Sequence, residues 1–340
     1  MKKKNVVIII LVLIAIIIAL SVVVYLNKDK FNKKEKSKEL LAAENIFLEV
    51  RLSTDNSYYT LIGLKNEANV DNAIITIPDS IDNIPVRAIV DYNDFARYSK
   101  VKTIKIGKNI TWIGNTLDNK NLNDYGKNIF LNAQSLTEII VDEDNPKYSS
   151  NNGILFNKDQ TVLIKYPNGR GPADDTSTLT YTVGDNVIEV YDHAFFLNKL
   201  LKEIVLGENV KSIGKYAFSN CPLLDYVKFN DKLETIESEA FSNCKKLNKI
   251  DLPKSLQSVG NGCFKNIGKI NIYIGSNNTS FGMDVFTGYT EIEFRTERDN
   301  VDNLANLIMT KFLMIAKDQY DKYPTLEKID AIKKIIIAID

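Results

Sequence analysis

Apolar residues are distributed along this chain in three different ways. From Val6 to Leu26 they form one unbroken run, VVIIILVLIAIIIALSVVVYL, in which only Ser21 and Tyr25 carry a polar atom. As a helix this run spans about 31 Å, the thickness of a bilayer's hydrocarbon core, and it is expected to cross a membrane. A helix in a soluble domain keeps one polar face instead. Near the other end Val301, Leu304, Ala305, Ile308, Phe312 and Ile315 fall at helical spacing. Pro324 interrupts the pattern, and Leu326, Ile329, Ile332, Ile336 and Ile339 resume it. Two helices over 297–340 are therefore expected, either capping the last turn of the body or pairing with a second copy.

Between these ends the apolar pattern repeats over long distances. LKEIVL at 201–206 returns as LDYVKF at 224–229 and LNKIDL at 247–252, each step 23 residues long. Phe195, Phe218, Phe241 and Phe264 keep that interval, as do Ala194, Ala217, Ala240 and Cys263, and Val190, Ile213, Ile236 and Val259. Val101 to Gly114 matches Leu201 to Gly214, and Ile75 to Ile81 matches Ile250 to Leu256. Further slots fall at Leu136 to Val141, Thr178 to Val183, Ile270 to Ile274 and Glu291 to Phe294, giving about nine coils over 73–296. One coil cannot bury its own apolar side, so coils must stack and share a continuous core. The period of two in a strand turns the last two apolar positions of each slot inward, and the phenylalanines form a second inner column on the opposite wall.

Several segments lie outside this rhythm. Ile46 to Leu52 and Tyr58 to Leu64, parted by Ser53 to Ser57, read as a β-hairpin capping the N-terminal end within 46–72. Gly153 to Phe156 and Val162 to Tyr166 flank Asn157 to Gln160 and read as a hairpin insertion over about 151–169. This insertion is expected to add little to the stack and to be removable without unfolding it. Residues 1–5 form a short basic tail, presumed cytoplasmic in an export topology, and 27–45 a basic juxtamembrane linker.

Charge narrows the partners. The 43 basic and 43 acidic residues balance overall, but 1–38 carry nine lysines against Asp29 and Glu35. The remainder holds 34 bases and 41 acids, a net charge near −7. Such a body is a poor match for phosphate backbones, so no nucleic-acid partner is expected. Orientation is pulled two ways. Six lysines between Lys28 and Lys38 follow the span and only Lys2, Lys3 and Lys4 precede it, which under the positive-inside rule favours a cytoplasmic body. The short basic tail before an apolar run is instead the shape of an export signal. The apolar run continues past Ala19-Leu20-Ser21, so an uncleaved anchor is expected.

The unit L-x-x-I-x-L-(P/G)-x-x-(V/L)-x-x-I-G-x-x-A-F-x-x-C, written almost fully in Leu201 to Cys221, resembles the repeat of the BspA-like leucine-rich repeat proteins. Asp144-Asn-Pro-Lys-Tyr148, Asn152 to Phe156 and Leu163 to Pro167 resemble an insertion common in that family. The resemblance implies a mainly β fold: a leucine-rich-repeat β-solenoid of about nine coils with an N-terminal β-hairpin cap, C-terminal helices and one N-terminal transmembrane helix. It also implies a bacterial surface protein with an adhesin-like role, its body outside a cell membrane crossed once by Val6 to Leu26. The alternative is a structural or assembly component of a cell-envelope complex. No C-terminal wall-sorting motif is present, so the N-terminal span is expected to be the anchor.

No catalytic, cofactor or metal site is expected. The single histidine, His193, shares a variable column with Tyr216 and Glu239. There is no zinc helix and no phosphate-binding loop, and Asn168-Gly-Arg-Gly-Pro172 reads as a turn. Cys221 and Cys244 share a column that stacking brings to about 5 Å, within disulfide range, yet parallel ladder side chains rarely turn toward each other. Both the disulfide and a pair of buried thiols stay open. Asp174-Asp175 and Glu143-Asp144 lack the spaced ligands of a calcium loop. The candidate ligand face is the outward side of the strands: Thr103, Lys105, Glu138, Ile140, Glu203, Val205, Tyr226, Lys228, Lys249 and Asp251. These are expected to form one continuous patch.

Overall fold

The computed structural model describes residues 37–43, 46–65, 73–90, 101–114, 130–171 except 132, 179–288 except 277, 291–297 and 336–339. Among them are 24 strands, numbered here in chain order, and no helix. The apolar run Val6 to Leu26 lies outside the described residues. Among the described ones, no helix is long and apolar enough to cross a membrane.

The repeating slots are the strands of one wall of a parallel solenoid: β4 (Ala73–Thr76), β7 (Val101–Ile106), β9 (Glu138–Val141), β13 (Leu179–Thr182), β15 (Leu201–Val205), β17 (Tyr226–Lys228), β19 (Lys249–Leu252), β21 (Lys269–Ile274) and β23 (Glu291–Glu297). Nine strands bound about eight turns, one fewer than the nine coils expected. Alternation holds: Ile204, Val227, Ile250 and Ile272 are buried, while Tyr226, Lys228, Lys249 and Asp251 are exposed. The ladders group as β4-β7-β9, β13-β15-β17 and β19-β21-β23 rather than as one sheet.

The opposite wall carries β12 (Val162–Lys165), β14 (Glu189–Val190), β16 (Ser212–Ile213), β18 (Thr235–Ile236), β20 (Ser258–Val259) and β22 (Ser280–Phe281), all in parallel register. Between the walls one ring per turn fills the core. Tyr166, Phe195, Phe218, Phe241, Phe264 and Phe286 stack face to face with centroids 4.9 to 5.6 Å apart and planes within 20° of parallel. This spacing is the strand spacing of a sheet, so the rings advance in step with the backbone. The step from Phe264 to Phe286 is 22 residues, as it is from Asp251 to Tyr273 and from Val259 to Phe281, so the last turns are one residue shorter.

Each turn bends through two left-handed residues. One column holds His193, Tyr216, Glu239, Gly262 and Asp284; the other holds Leu197, Asn220, Asn243, Asn266 and Gly288. Asparagine and glycine tolerate this conformation and leucine does not, so Leu197 is the misfit of its column. Side chains of one turn also cap the next: Asp185 Oδ1 accepts from the Glu208 N–H at 2.9 Å and Asp192 Oδ1 from the Lys215 N–H at 2.7 Å.

The 151–169 segment corrects the expectation of a dispensable insertion. β10 (Tyr148–Asn151), β11 (Ile154–Asn157) and β12 form an antiparallel meander that starts the second wall. Every residue of β11 and β12 is buried. Ile154, Phe156 and Leu163 belong to the core of the following turns, whereas Leu155, Val162 and Ile164 belong to the core of the preceding ones. The hairpin is thus a septum with two apolar faces. Lys165 lies within it, its Nζ donating to Asn168 Oδ1 at 3.2 Å and to the His193 carbonyl at 3.4 Å.

The ends bring two more corrections. β2 (Ile46–Leu52) and β3 (Tyr59–Lys65) are antiparallel, and β3 runs parallel to β6 (Ile84–Val90), which pairs with β5 (Ser80–Ile81) and β8 (Trp112–Gly114). Part of the expected linker 27–45 is a strand: β1 (Ser37–Ala43) pairs with β2, Leu40 opposite Leu48, and covers an edge that would otherwise stand open. Ile336 and Ile339, expected on a helix, lie in β24 (Ile336–Ile339), parallel to β23. The run IIAI has the β-branched composition that suits a strand. Residues 298–335, where the rest of the two helices was expected, lie outside the described residues.

Three outcomes follow for stability. Phe241→Ala removes one ring from mid-stack and should cost about 3–5 kcal/mol in a denaturant titration. Leu197→Asn should raise stability by about 0.5–1 kcal/mol by relieving a left-handed leucine, seen as a higher denaturation midpoint. Deletion of 151–169 should abolish the cooperative transition, because it strips both half-cores of their shared wall; an unchanged transition would return the segment to the role of a decoration.

Candidate binding face

Two outward columns run along the strand wall. The register places Thr180, Glu203 and Tyr226 in one and Thr182, Val205 and Lys228 in the other. Beyond β17 they continue as Lys249, Asn271 and Glu293, and as Asp251, Tyr273 and Arg295. Asp251 is held from two sides. Lys249 Nζ lies 2.8 Å from one carboxylate oxygen and Arg295 Nη2 3.2 Å from the other. All three side chains reach solvent, so the pairs fix geometry more than they stabilise the fold.

The ten anticipated residues are not one patch. Thr103, Lys105, Glu138 and Ile140 sit on β7 and β9, Glu203, Val205, Tyr226 and Lys228 on β15 and β17, and Lys249 and Asp251 on β19, in three separate sheets. Thr103 is buried at 8% exposure, its hydroxyl donating to Glu138 Oε2 at 3.4 Å, which corrects its placement on a solvent face. Glu138 is half-buried, its Cγ close over Gly153. Lys105 is exposed and Ile140 is 36% exposed, while Glu203 and Val205 are half-buried. The exposed residues that converge are Tyr226, Lys228 and Asp251, beside Lys249.

They converge on a cleft of about 610 Å³ lined by Tyr226, Lys228, Phe229, Asp231, Asp251, Pro253, Lys254, Ser255 and Tyr273, with Val227 and Leu252 beneath. The cleft opens where the wall's ladder is interrupted: β17 and β19 belong to different sheets. Phe229 stands where the flanking turns carry Leu206 and Leu252. Its ring is only partly buried, edge-on to Phe241 at 5.9 Å, and its added width accounts for the spread between the two strands. Tyr273, Arg295, Lys254 and Ser255 were absent from the anticipated face. Tyr273 and Arg295 are readable by extending the outward alternation through the slots at Ile270 and Glu291, provided the step is taken as 22 residues.

Groups that could carry chemistry lie elsewhere and are tied to structure. Cys221, Cys244 and Cys263 are free, buried thiols. Burial pushes the Cys221 and Cys263 thiols well above the usual range, and the Cys221 and Cys244 thiols point at the carbonyls of Phe195 and Phe218 at 3.3 and 3.1 Å. His193 stacks on Tyr216 at 5.0 Å. The Tyr216 hydroxyl donates to Glu239 at 2.9 Å, a bond that raises its pKa. Gly169 packs on the backbone of Ser135, where an added Cβ would lie 2.6 Å from its carbonyl carbon, so Asn168 to Gly171 is a packed turn. Among the described residues no three His, Cys, Asp or Glu side chains are placed to hold a metal.

A parallel solenoid with one inward strand slot, one ring column and two left-handed corners per turn defines a leucine-rich repeat array. Residues 174–293 match the BspA type leucine rich repeat region in six copies, and this part of the chain belongs to that family. Among solved structures, the chain is similar to the pneumococcal vaccine antigen PcpA at 17% identity and a TM-score of 0.47, covering 81% of this chain and 96% of that one. It is similar to a leucine rich cell surface protein from Faecalibacterium prausnitzii at 17% identity and 0.44, covering 78% and 96%. A leucine-rich repeat protein from Bacteroides ovatus aligns at 18% identity and 0.36, covering 74% and 70%. No curated protein matches the chain in sequence.

Because Tyr226 and Lys228 point away from the core, the double variant Tyr226→Ala, Lys228→Ala should melt within about 0.5 kcal/mol of the parent. A larger loss in a thermal scan would show that the pair supports the fold.

Proposed function

We propose that the chain is a non-enzymatic binding protein of the cell surface, adhesin-like, that meets its ligand on the cleft between β17 and β19. One observation carries this reading: the cleft gathers an exposed tyrosine, at 42% exposure, with fixed charged groups on a rigid wall. A large aromatic side chain beside anchored polar groups is the usual make-up of an energetic hot spot. Stacked repeats present such a surface without rearrangement, which lowers the ordering cost of binding. The catalytic alternative has little to stand on, since the titratable side chains outside the cleft are engaged in packing and turn capping. Val6 to Leu26 would hold the protein in the cell membrane as a single-pass anchor, with the repeat body outside.

Two measurements test the reading. Protease added to intact cells should digest the body beyond about residue 40 while cytoplasmic controls survive, and protection of the body would place it inside. Beads carrying the full-length chain should adhere to an extracellular-matrix layer, and Tyr226→Ala with Lys228→Ala should weaken adhesion at least about tenfold, or 1.4 kcal/mol. Undiminished adhesion by the double variant would move the site off the cleft.

A further inference from the structure

We infer that the β17–β19 cleft takes a neutral oligosaccharide, its sugar rings lying on Tyr226 and Tyr273 and its hydroxyls on the polar groups between them. The inference rests on the binding reading above and gives that cleft a ligand class.

Charge is the first reason. Lys228 and Lys254 are balanced in the lining by Asp231 and Asp251, and Asp251 is further tied to Lys249 and Arg295. A cleft whose charges cancel offers no field to concentrate a polyanion or a polycation. It offers donors and acceptors of fixed direction instead, alternating over a short distance. A sugar ring, whose hydroxyls both donate and accept, satisfies such a set, and leaving either partner unmet would be costly.

The aromatic residues are the second reason. Tyr226 and Tyr273 stand in different outward columns and two strands apart, so roughly 12 Å separates them diagonally across the wall. That distance suits a chain of several sugars better than a single ring. Tyr273 is held in place: an added Cβ at Gly275 would lie 3.0 Å from its Cε1, 3.2 Å from its hydroxyl and 3.3 Å from Lys254 Cγ. The glycine therefore supplies the space into which the ring tips. Each tyrosine combines an apolar face for C–H groups with a polar tip for hydroxyls.

The interrupted ladder is the third. β17 and β19 lie side by side without laddering to each other, so their facing backbone groups border the cleft. An extended peptide would use a free edge several residues long. Here the facing strands are three and four residues long, and each is laddered on its other side to β15 or β21. That geometry admits small hydroxyl groups and leaves no length for an added strand.

The test is saturation-transfer NMR on the full-length chain, kept in a detergent without a sugar headgroup, with chitotriose, maltotriose, cellotriose and laminaritriose as probes. At least one trisaccharide should receive saturation at its ring C–H protons. Tyr226→Ala and Tyr273→Ala should each weaken that binding at least tenfold, and Gly275→Ala should weaken it several-fold although it touches no ligand, all with unchanged melting. Failure of all four probes, or equal binding by the two tyrosine variants, overturns the inference. If no trisaccharide binds while matrix adhesion still depends on Tyr226, the cleft stands as a binding face and only its ligand class is wrong. If adhesion also ignores Tyr226, both readings fall.

Discussion

Ring-on-ring contact along a single column sets the terms for the rest of this molecule. From Tyr166 to Phe286 each turn contributes one flat side chain at 4.9 to 5.6 Å from the next, and all are fully or almost fully buried. A flat ring can repeat at the backbone spacing of stacked strands, whereas a branched side chain there would leave gaps or collide. Burying each phenylalanine contributes about 1.5–3 kcal/mol, so the column is a major part of what offsets the ordering of the corners. It also fixes the length of each turn, because the ring must return to the same place. The corners obey that demand through two left-handed residues per turn, even where the residue is Leu197 or Tyr216.

How much of this could be read from residues alone depends on whether a signal was periodic. The ring column, the inward strand positions and the β2–β3 hairpin each leave a repeating or alternating trace, and the structure has strands and core where those traces fall. The septum leaves an ambiguous one. Ile154-Leu-Phe156 and Val162-Leu-Ile164 are continuous apolar runs, and such a run fits a peripheral hairpin or a strand buried on both faces. Only its position between two half-cores decides the matter, and that is a long-range fact. Ile336 and Ile339 fail for a similar reason, since three-residue spacing in a run of isoleucines suits either a helix or a strand. Strand β1 follows a lysine-rich stretch whose composition masks its pairing with β2.

The candidate site was legible in outline and wrong in extent. Alternation gives the outward residues of β17 and β19 correctly, but it treats every turn as equivalent. Thr103 is outward by period and buried in fact, because Glu138 lies against it. The cleft exists because turns are not equivalent: a phenylalanine in place of leucine at position 229 opens one junction, and a shortened step brings Tyr273 beside it. Departures from a repeat, rather than the repeat itself, are where this wall gains a distinct surface.

The septum gives the solenoid a division of labour. Its two faces belong to different hydrophobic clusters, one running from Leu48 to Ile164 and the other from Ile154 to Phe294. Nearest-neighbour stacking alone would let an array grow or fray from either end, one turn at a time. Here the two blocks share a single β-meander, so neither can close its interior until that meander is in place. Local openings in one block then have a boundary, and the cleft belongs entirely to the block beyond it. An insertion in the midst of a repeat can thus act as a firewall, confining strain from the tethered end before it reaches the surface that meets a ligand.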